Sequence, residues 1–141
     1  MGTKQYWWAV LAYVFCTFLI AAPWHLVFFK PLYDELAIFT RREPIIPLGV
    51  LSMIMQGLIL SYLYPVFARS KPSVKSGALF GVLMGVLLAS SAVFAEAGKQ
   101  YVTSLPTWLA LESIYFLLQF TLVGAVIGAI YAKGAAPHGL R

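Results

Sequence analysis

The chain has 141 residues, of which 61% are hydrophobic, 16% aromatic and only 11% charged. So few charged side chains cannot cover the surface of a soluble domain of this length, which excludes a soluble globular protein. The net charge of +5 fits contact with anionic lipid headgroups, and the sequence contains no nucleic-acid-binding motif.

Four long segments with almost no charge predict four transmembrane helices, at about residues 6–29, 45–67, 77–97 and 105–132. Each has about the 20 residues that a helix needs to cross ~30 Å of hydrocarbon. The connections between them are too short for a separate soluble domain. We therefore predict one all-α domain over residues 1–141, an integral membrane four-helix bundle with up-down-up-down topology.

The basic residues predict the orientation of this bundle. The side with both termini has Lys4, Arg69, Lys71, Lys75, Lys133 and Arg141, and the opposite side has Lys30, Arg41, Arg42 and Lys99. By the positive-inside rule, the basic loop at residues 69–75 favours cytoplasmic termini, in what we expect to be a bacterial inner membrane. All the acidic residues then lie at or near the outer face: Asp34, Glu35, Glu43, Glu96 and Glu112.

Tryptophans mark both ends of the first span, as interfacial anchors do: Trp7 and Trp8 lie at its start and Trp24 lies near its end. Pro23 predicts an irregular helix at that end. His25 is the only histidine near a span. It is a candidate for ligand or proton binding, and the alternative is a hydrogen-bonding anchor at the interface.

The connection between spans one and two, residues 30–43, mixes charged residues with apolar ones such as Tyr33 and Leu36. Its spacing predicts a short amphipathic helix on the outer surface, either as a lid over the bundle or as a plain connector. In the second span, Gln56 shares a helix face with Ser52. A buried amide seeks polar partners, so we expect Gln56 to face the bundle interior.

Small residues recur every fourth position in the third span: Gly77, Gly81, Gly85 and Ala89. At about 100° per residue the stripe continues through Ala92 to Glu96. Gly124 and Gly128 form a second pair with the same spacing in span four. Antiparallel neighbours bring the two sets to one depth, which predicts a glycine zipper between spans three and four or between copies of the chain.

Glu112, Tyr115 and Gln119 share one face of the fourth span. Glu96 and Glu112 lie in or near hydrocarbon, where a carboxylate is a functional candidate because its ionised form is costly. Lys99 could neutralise Glu96 across one helical turn, and a hydrogen bond could satisfy Glu112. The candidate ligand- or proton-binding residues are Glu96, Glu112, His25, Gln56, Gln119, Tyr115 and Lys99.

Motifs for catalysis and for metal or cofactor binding are missing from the sequence. The carboxylates and His25 lack the HxxxH or ExxH spacing of metal ligands, and a lone Cys16 excludes an internal disulfide and thiolate metal sites. The other histidine, His138, lies in the opposite tail, which argues against bis-histidine haem. We therefore predict no catalytic residue, metal or cofactor, and an enzyme is the least favoured function.

The aromatic stretch WHLVFFKPLY at residues 24–33 resembles the end of the first span in uncharacterised small four-span bacterial membrane proteins. That resemblance implies the same span layout and no known chemistry. The chain is also similar in size and helix number to the small multidrug resistance transporters. Their working glutamate lies in the first span, where this chain has no acidic residue, so their mechanism does not carry over.

Two functions remain after these exclusions. The first is an accessory or interaction subunit, which docks to further copies or to a larger membrane complex through lipid-facing or glycine-lined surfaces. The second is a small-solute binder or transporter with a protonatable outer pocket around Glu96 and Glu112. In that case Gln56 and Gln119 continue a polar track towards the middle of the membrane.

Overall fold

The computed structural model describes residues 2–38, 41, 43–69 and 71–135. Its helices are α1 (Thr3–Pro23), α2 (Lys30–Leu36), α3 (Ile46–Ala68), α4 (Val74–Ala89) and α5 (Leu105–Ala135), and π-helical turns at Trp24–Phe28 and Ser90–Ala95 extend α1 and α4. Four stretches are long and apolar enough to cross a membrane: Thr3–Phe28, Ile46–Ala68, Val74–Ala95 and Leu105–Gly134. The predicted all-α bundle of four membrane helices is confirmed. The predictions on Arg42, His138 and Arg141 lie outside the described residues.

The two ends of the bundle differ in charge. We call the end with Asp34, Glu35, Glu43, Glu96 and Glu112 the acidic end, and the end with Lys4, Arg69, Lys71, Lys75 and Lys133 the basic end. A cluster of buried side chains fills the bundle towards the basic end: Ala9, Tyr13, Leu60, Tyr64, Phe80, Phe120, Val123, Ile127 and Tyr131. A second cluster lies at the acidic end and includes α2: Tyr33, Leu36, Ile38, Ala89, Val93, Trp108 and Leu111.

Helices α4 and α5 approach each other closely because glycines lie at their contact. A Cβ atom added to Gly77 would lie 2.8 Å from Cα of Gly128, and one added to Gly124 would lie 2.8 Å from Cα of Gly81. Real Cβ atoms do not approach neighbours so closely, so a side chain at these positions would push the two helices apart.

A capping box defines the start of α4. The Ser73 hydroxyl accepts a hydrogen bond from the backbone N–H of Ser76 at 3.0 Å, and the backbone N–H of Ser73 donates to the Ser76 hydroxyl at 3.0 Å. These bonds satisfy amide groups that a helix start leaves without partners. The phenol of Tyr64 on α3 also contacts the Ser76 hydroxyl, at 2.8 Å, so the cap connects α3 to α4.

The π turn in the second half of α4 changes which residues face the bundle. Val93 is fully buried, whereas Ala92 is exposed. The stripe of small residues that the sequence predicts through Ala92 to Glu96 therefore does not continue as one face beyond Ala89. A π turn holds more residues than an α turn, so the 100° period does not carry across it.

Half of α3 stands away from the other helices. Its buried residues are Gly57, Leu60, Ser61 and Tyr64, all in the half towards the basic end. Among residues 46–55, which form the half towards the acidic end, every residue is exposed or only partly buried. A Cβ atom added to Gly49 would have nothing within 4 Å. This half of α3 therefore has a free surface within the described chain.

Candidate functional site at the acidic end

The candidate site is centred on Glu112, whose side chain is buried between α5 and the segments that cover the acidic end. Glu112 is only 5% exposed, and its carboxylate accepts a hydrogen bond from the Tyr33 phenol on α2. The indole N–H of Trp24 in turn donates to the Tyr33 oxygen at 3.1 Å. Residues from α2, α5 and the π turn after α1 thus form one hydrogen-bonded group.

His25 adds a titratable ring to this group. Its Nε2 atom lies 3.5 Å from Oε1 of Glu112, and its Nδ1 atom lies 3.0 Å from the carbonyl oxygen of Ala21. A ring nitrogen that carries a proton can donate to the Ala21 carbonyl or to the Glu112 carboxylate. We call His25 and Glu112 the proton-binding pair, because a proton between Nε2 and Oε1 would make their contact a hydrogen bond.

Aromatic rings surround this proton-binding pair. The ring of Tyr115 meets His25 edge-on with centroids 4.4 Å apart, and the ring of Tyr33 stacks on His25 at 4.9 Å. Trp108 is buried beside them, with its indole N–H donating to the carbonyl of Val93 at 3.2 Å. Apolar rings lower the local dielectric, so charges and hydrogen bonds inside the cluster interact more strongly than they would in water.

The Tyr33 phenol stays protonated in this setting. Burial, followed by the negative charge of Glu112, raises the pKa of Tyr33 well above its ordinary value of 10.0. The phenol therefore remains a hydrogen-bond donor to Glu112 across the neutral range.

Several contacts hold α2 over the site. Thr103, in the connection between α4 and α5, donates from its hydroxyl to the carbonyl of Glu35 at 2.7 Å and from its backbone N–H to the carbonyl of Leu36 at 3.2 Å. Ala37 ends the helix in the left-handed conformation, with φ of 56°. The amphipathic helix expected over residues 30–43 is thus shorter and ends at Leu36.

Glu96 makes its contact elsewhere. It is 42% exposed and lies 4.0 Å from the ammonium group of Lys99, which is 69% exposed. This is an ordinary surface ion pair across one turn, in a setting where water screens the charges. The structure therefore brings Glu112, His25 and Tyr115 together, and it gives Glu96 and Lys99 a separate position at the surface.

The two candidate glutamines also lie apart from Glu112. Gln56 is partly buried, with its carbonyl oxygen accepting from the Tyr13 phenol on α1 at 2.6 Å and its amide donating to Ser52 at 3.2 Å. Gln119 is buried on α5, one turn beyond Tyr115.

Sequence reasoning missed Tyr33 and Trp24 as members of the site. The sequence predicts Tyr33 as an apolar residue of a short surface helix and Trp24 as an interfacial anchor. A signal was present, since a buried phenol seeks an acceptor and a buried carboxylate seeks a donor. The bond joins residues 79 positions apart, so only the tertiary fold shows which partners meet.

Within the part of the chain that the structure describes, no three His, Cys, Asp or Glu side chains form a group that could hold a metal ion. No family model matches the sequence, and searches of curated proteins and of solved structures found no significant match. Function is therefore inferred from the contacts described above.

Proposed function

We propose that this integral membrane protein is an accessory or interaction subunit of a membrane assembly in a bacterial inner membrane, with both termini in the cytoplasm. The observation that carries this proposal is the free half of α3, residues 46–55. A membrane helix gains little by exposing glycine and serine to lipid, whereas these small residues allow a second helix to pack closely and to form hydrogen bonds.

The composition of this surface supports a protein partner. Gly49 has open space beside it, Ser52 is exposed, and both are flanked by the exposed apolar side chains of Leu48 and Leu51. Small residues between larger apolar ones form a shallow groove into which a neighbouring helix can fit. The partner is a second copy of the chain or a helix of a larger complex.

Photo-crosslinking in intact membranes tests this proposal. A photoreactive amino acid at Leu51 should form a covalent adduct with a polypeptide. The matched control is the same amino acid at Phe15 on α1, which is 65% exposed, and it should react only with lipid. Lipid adducts alone at both positions would refute an interaction surface on α3.

A second variant shows whether the contact depends on shape. Gly49→Leu fills open space in the monomer, so the protein should still fold and extract as wild type does. The larger side chain should nevertheless abolish the adduct formed from position 51, because it blocks the approach of the second helix. The mass of the adduct distinguishes a second copy from a different protein.

The proton-binding pair favours a second candidate function, a small-solute binder or transporter with a protonatable site. Here the site is centred on Glu112 and His25, because Glu96 pairs with Lys99 at the surface. The His25 side chain is 28% exposed, so protons can exchange between the surface and the buried carboxylate through this one imidazole ring.

The test is calorimetric titration of purified protein with candidate cations at several pH values. Glu112→Gln should remove any pH-dependent binding, and an unchanged titration would exclude this site.

A further inference from the structure

A shallow groove runs along the outside of the bundle between α1 and α5, in the half towards the basic end. Its volume is about 380 Å³, its walls are almost wholly apolar, and it is lined by Trp8, Leu11, Ala12, Phe15 and Ile130. Trp8, Leu11 and Phe15 are each more than half exposed, so the groove opens outwards. In a membrane such a surface faces the acyl chains of lipids.

Lys4 lies at one end of this groove. Trp8 and Leu11 follow Lys4 by four and seven residues on α1, which places all three side chains on one face of the helix. Lys4 is exposed and belongs to the first turn of α1, where the helix reaches the headgroup region. The apolar lining on α1 therefore ends in a positive charge at the membrane surface.

Lys133 brings a second positive charge to the same end. It follows Ile130 by three residues on α5, so it shares the face that lines the groove. The ends of the two helices meet, since a Cβ atom added to Gly134 would lie 2.5 Å from Nε2 of Gln5. Gly134 and Gln5 are the chain neighbours of Lys133 and Lys4. The two exposed lysines therefore flank one end of the groove.

The charge at this end of the groove is not balanced by carboxylates of the described chain. All five acidic side chains belong to the acidic end, at the opposite side of the membrane helices. A lysine can lay its hydrocarbon stem along an apolar surface and keep its ammonium group at the level of the headgroups. Lys4 and Lys133 together thus favour an anion at this level.

We propose that the groove and the two lysines form a binding site for one anionic phospholipid. An acyl chain lies along Leu11, Ala12 and Phe15, and the phosphate contacts the ammonium groups of Lys4 and Lys133. The acyl chains of all membrane lipids are similarly apolar, so the groove alone does not select among headgroups. The lysines do, because basic side chains at the membrane surface attract anionic lipids. This site is independent of both functions proposed above.

Native mass spectrometry of the purified protein, titrated with phosphatidylglycerol or with phosphatidylcholine, tests the selection by charge. The wild type should bind phosphatidylglycerol more tightly by about tenfold or more, as two lysines near a headgroup predict. The double variant Lys4→Gln with Lys133→Gln should lose most of this preference. Both lysines are exposed, so the variant should fold as wild type does.

The matched control is the double variant Lys71→Gln with Lys75→Gln. It removes the same charge from the same end of the bundle, and both side chains are exposed. Lys71 lies in the connection between α3 and α4 and Lys75 lies on α4, and neither segment lines the groove. The control should therefore keep the preference for phosphatidylglycerol. An equal loss in the two double variants, or a wild type without preference, would overturn the proposal in favour of general attraction to the membrane.

Photo-crosslinking with the wild-type lysines in place tests the position of the lipid. A photoreactive amino acid replaces Leu11 in the groove or, as a control, Ile59 on α3, and both residues are more than half exposed. They lie at similar depth, eight residues after the start of α1 and nine before the end of α3. In vesicles with equal amounts of the two lipids, adducts at position 11 should be enriched several-fold in phosphatidylglycerol, and those at position 59 should match the vesicle. Equal compositions at the two positions would refute a site in the groove.

Discussion

The phenol of Tyr33, on the short helix α2, donates a hydrogen bond to the buried carboxylate of Glu112 on α5. This bond joins a segment between the first two membrane helices to the interior of the fourth. Trp24 donates to the same phenol oxygen, so the position of α2 depends on both partners. Loss of the bond should therefore loosen the cover of the acidic end while the bundle beneath it remains folded.

Tyr33→Phe should lower the free energy of unfolding by about 1–3 kcal/mol, the usual effect of leaving a buried partner without its hydrogen bond. The aromatic ring and its packing are kept, so the change reports on the hydroxyl alone. Thermal or denaturant unfolding in detergent measures the effect. Tyr101→Phe is the matched control, because Tyr101 is 79% exposed and should change stability very little. Equal shifts in the two variants would contradict the importance of the Tyr33 bond.

Stability should fall at alkaline pH in a way that depends on Tyr33. Its pKa is raised in the folded protein above the ordinary value of 10.0, so the folded state holds the phenol proton more tightly than the unfolded state does. The resulting stabilisation is complete below about pH 10 and is lost progressively as pH rises further. Between about pH 8 and pH 11.5, the free energy of unfolding should fall less steeply with pH for Tyr33→Phe than for wild type. Parallel curves for the two proteins would contradict this linkage.

The two membrane-end glutamates should differ in their effect on stability. Glu112→Gln removes the charge that receives the Tyr33 and His25 contacts, and we expect a loss of about 1–3 kcal/mol in the free energy of unfolding. Glu96→Gln should change it by less than about 0.5 kcal/mol, because the pair with Lys99 is exposed and screened. Unfolding of both variants under identical detergent conditions makes the comparison. A larger loss for Glu96→Gln would contradict the assignment of Glu112 as the buried site.

Gly81 and Gly49 should respond in opposite ways to the addition of one methyl group. A Cβ at Gly81 would lie 3.0 Å from Cα of Thr121 and still closer to the Phe120 carbonyl, whereas one at Gly49 would meet nothing within 4 Å. Gly81→Ala should therefore cost about 1–3 kcal/mol through overpacking. Gly49→Ala should be neutral or stabilising by up to about 1 kcal/mol through helix propensity. The Tm values of the two variants check this prediction, and similar values would contradict the close approach of α4 and α5.

The number and placement of the membrane helices could be predicted from the sequence, because long uncharged segments leave few alternatives. The ion pair between Glu96 and Lys99 could also be predicted from the sequence, since residues three apart on a helix are neighbours. Local spacing likewise placed Glu112, Tyr115 and Gln119 on one face, and all three are buried.

The remaining features of the site depend on tertiary structure. Tyr33 and Glu112 meet across most of the chain, and no local period connects them. The burial of Val93 in place of Ala92 follows from a π turn, which the regular helical period used for the prediction does not include. The free half of α3 depends on where α1 and α5 leave room, which hydrophobicity alone cannot show.

The π turn at Ser90–Ala95 changes the direction in which the following residues of the membrane helix face. The glycine half of α4 keeps its direction towards α5, while the half beyond Ala89 turns so that Val93 meets Trp108 and Glu96 points towards the surface. Deleting one residue from this turn should restore a regular helix and rotate everything after it by about 100°. A single extra residue thus lets the two halves of the helix face different neighbours.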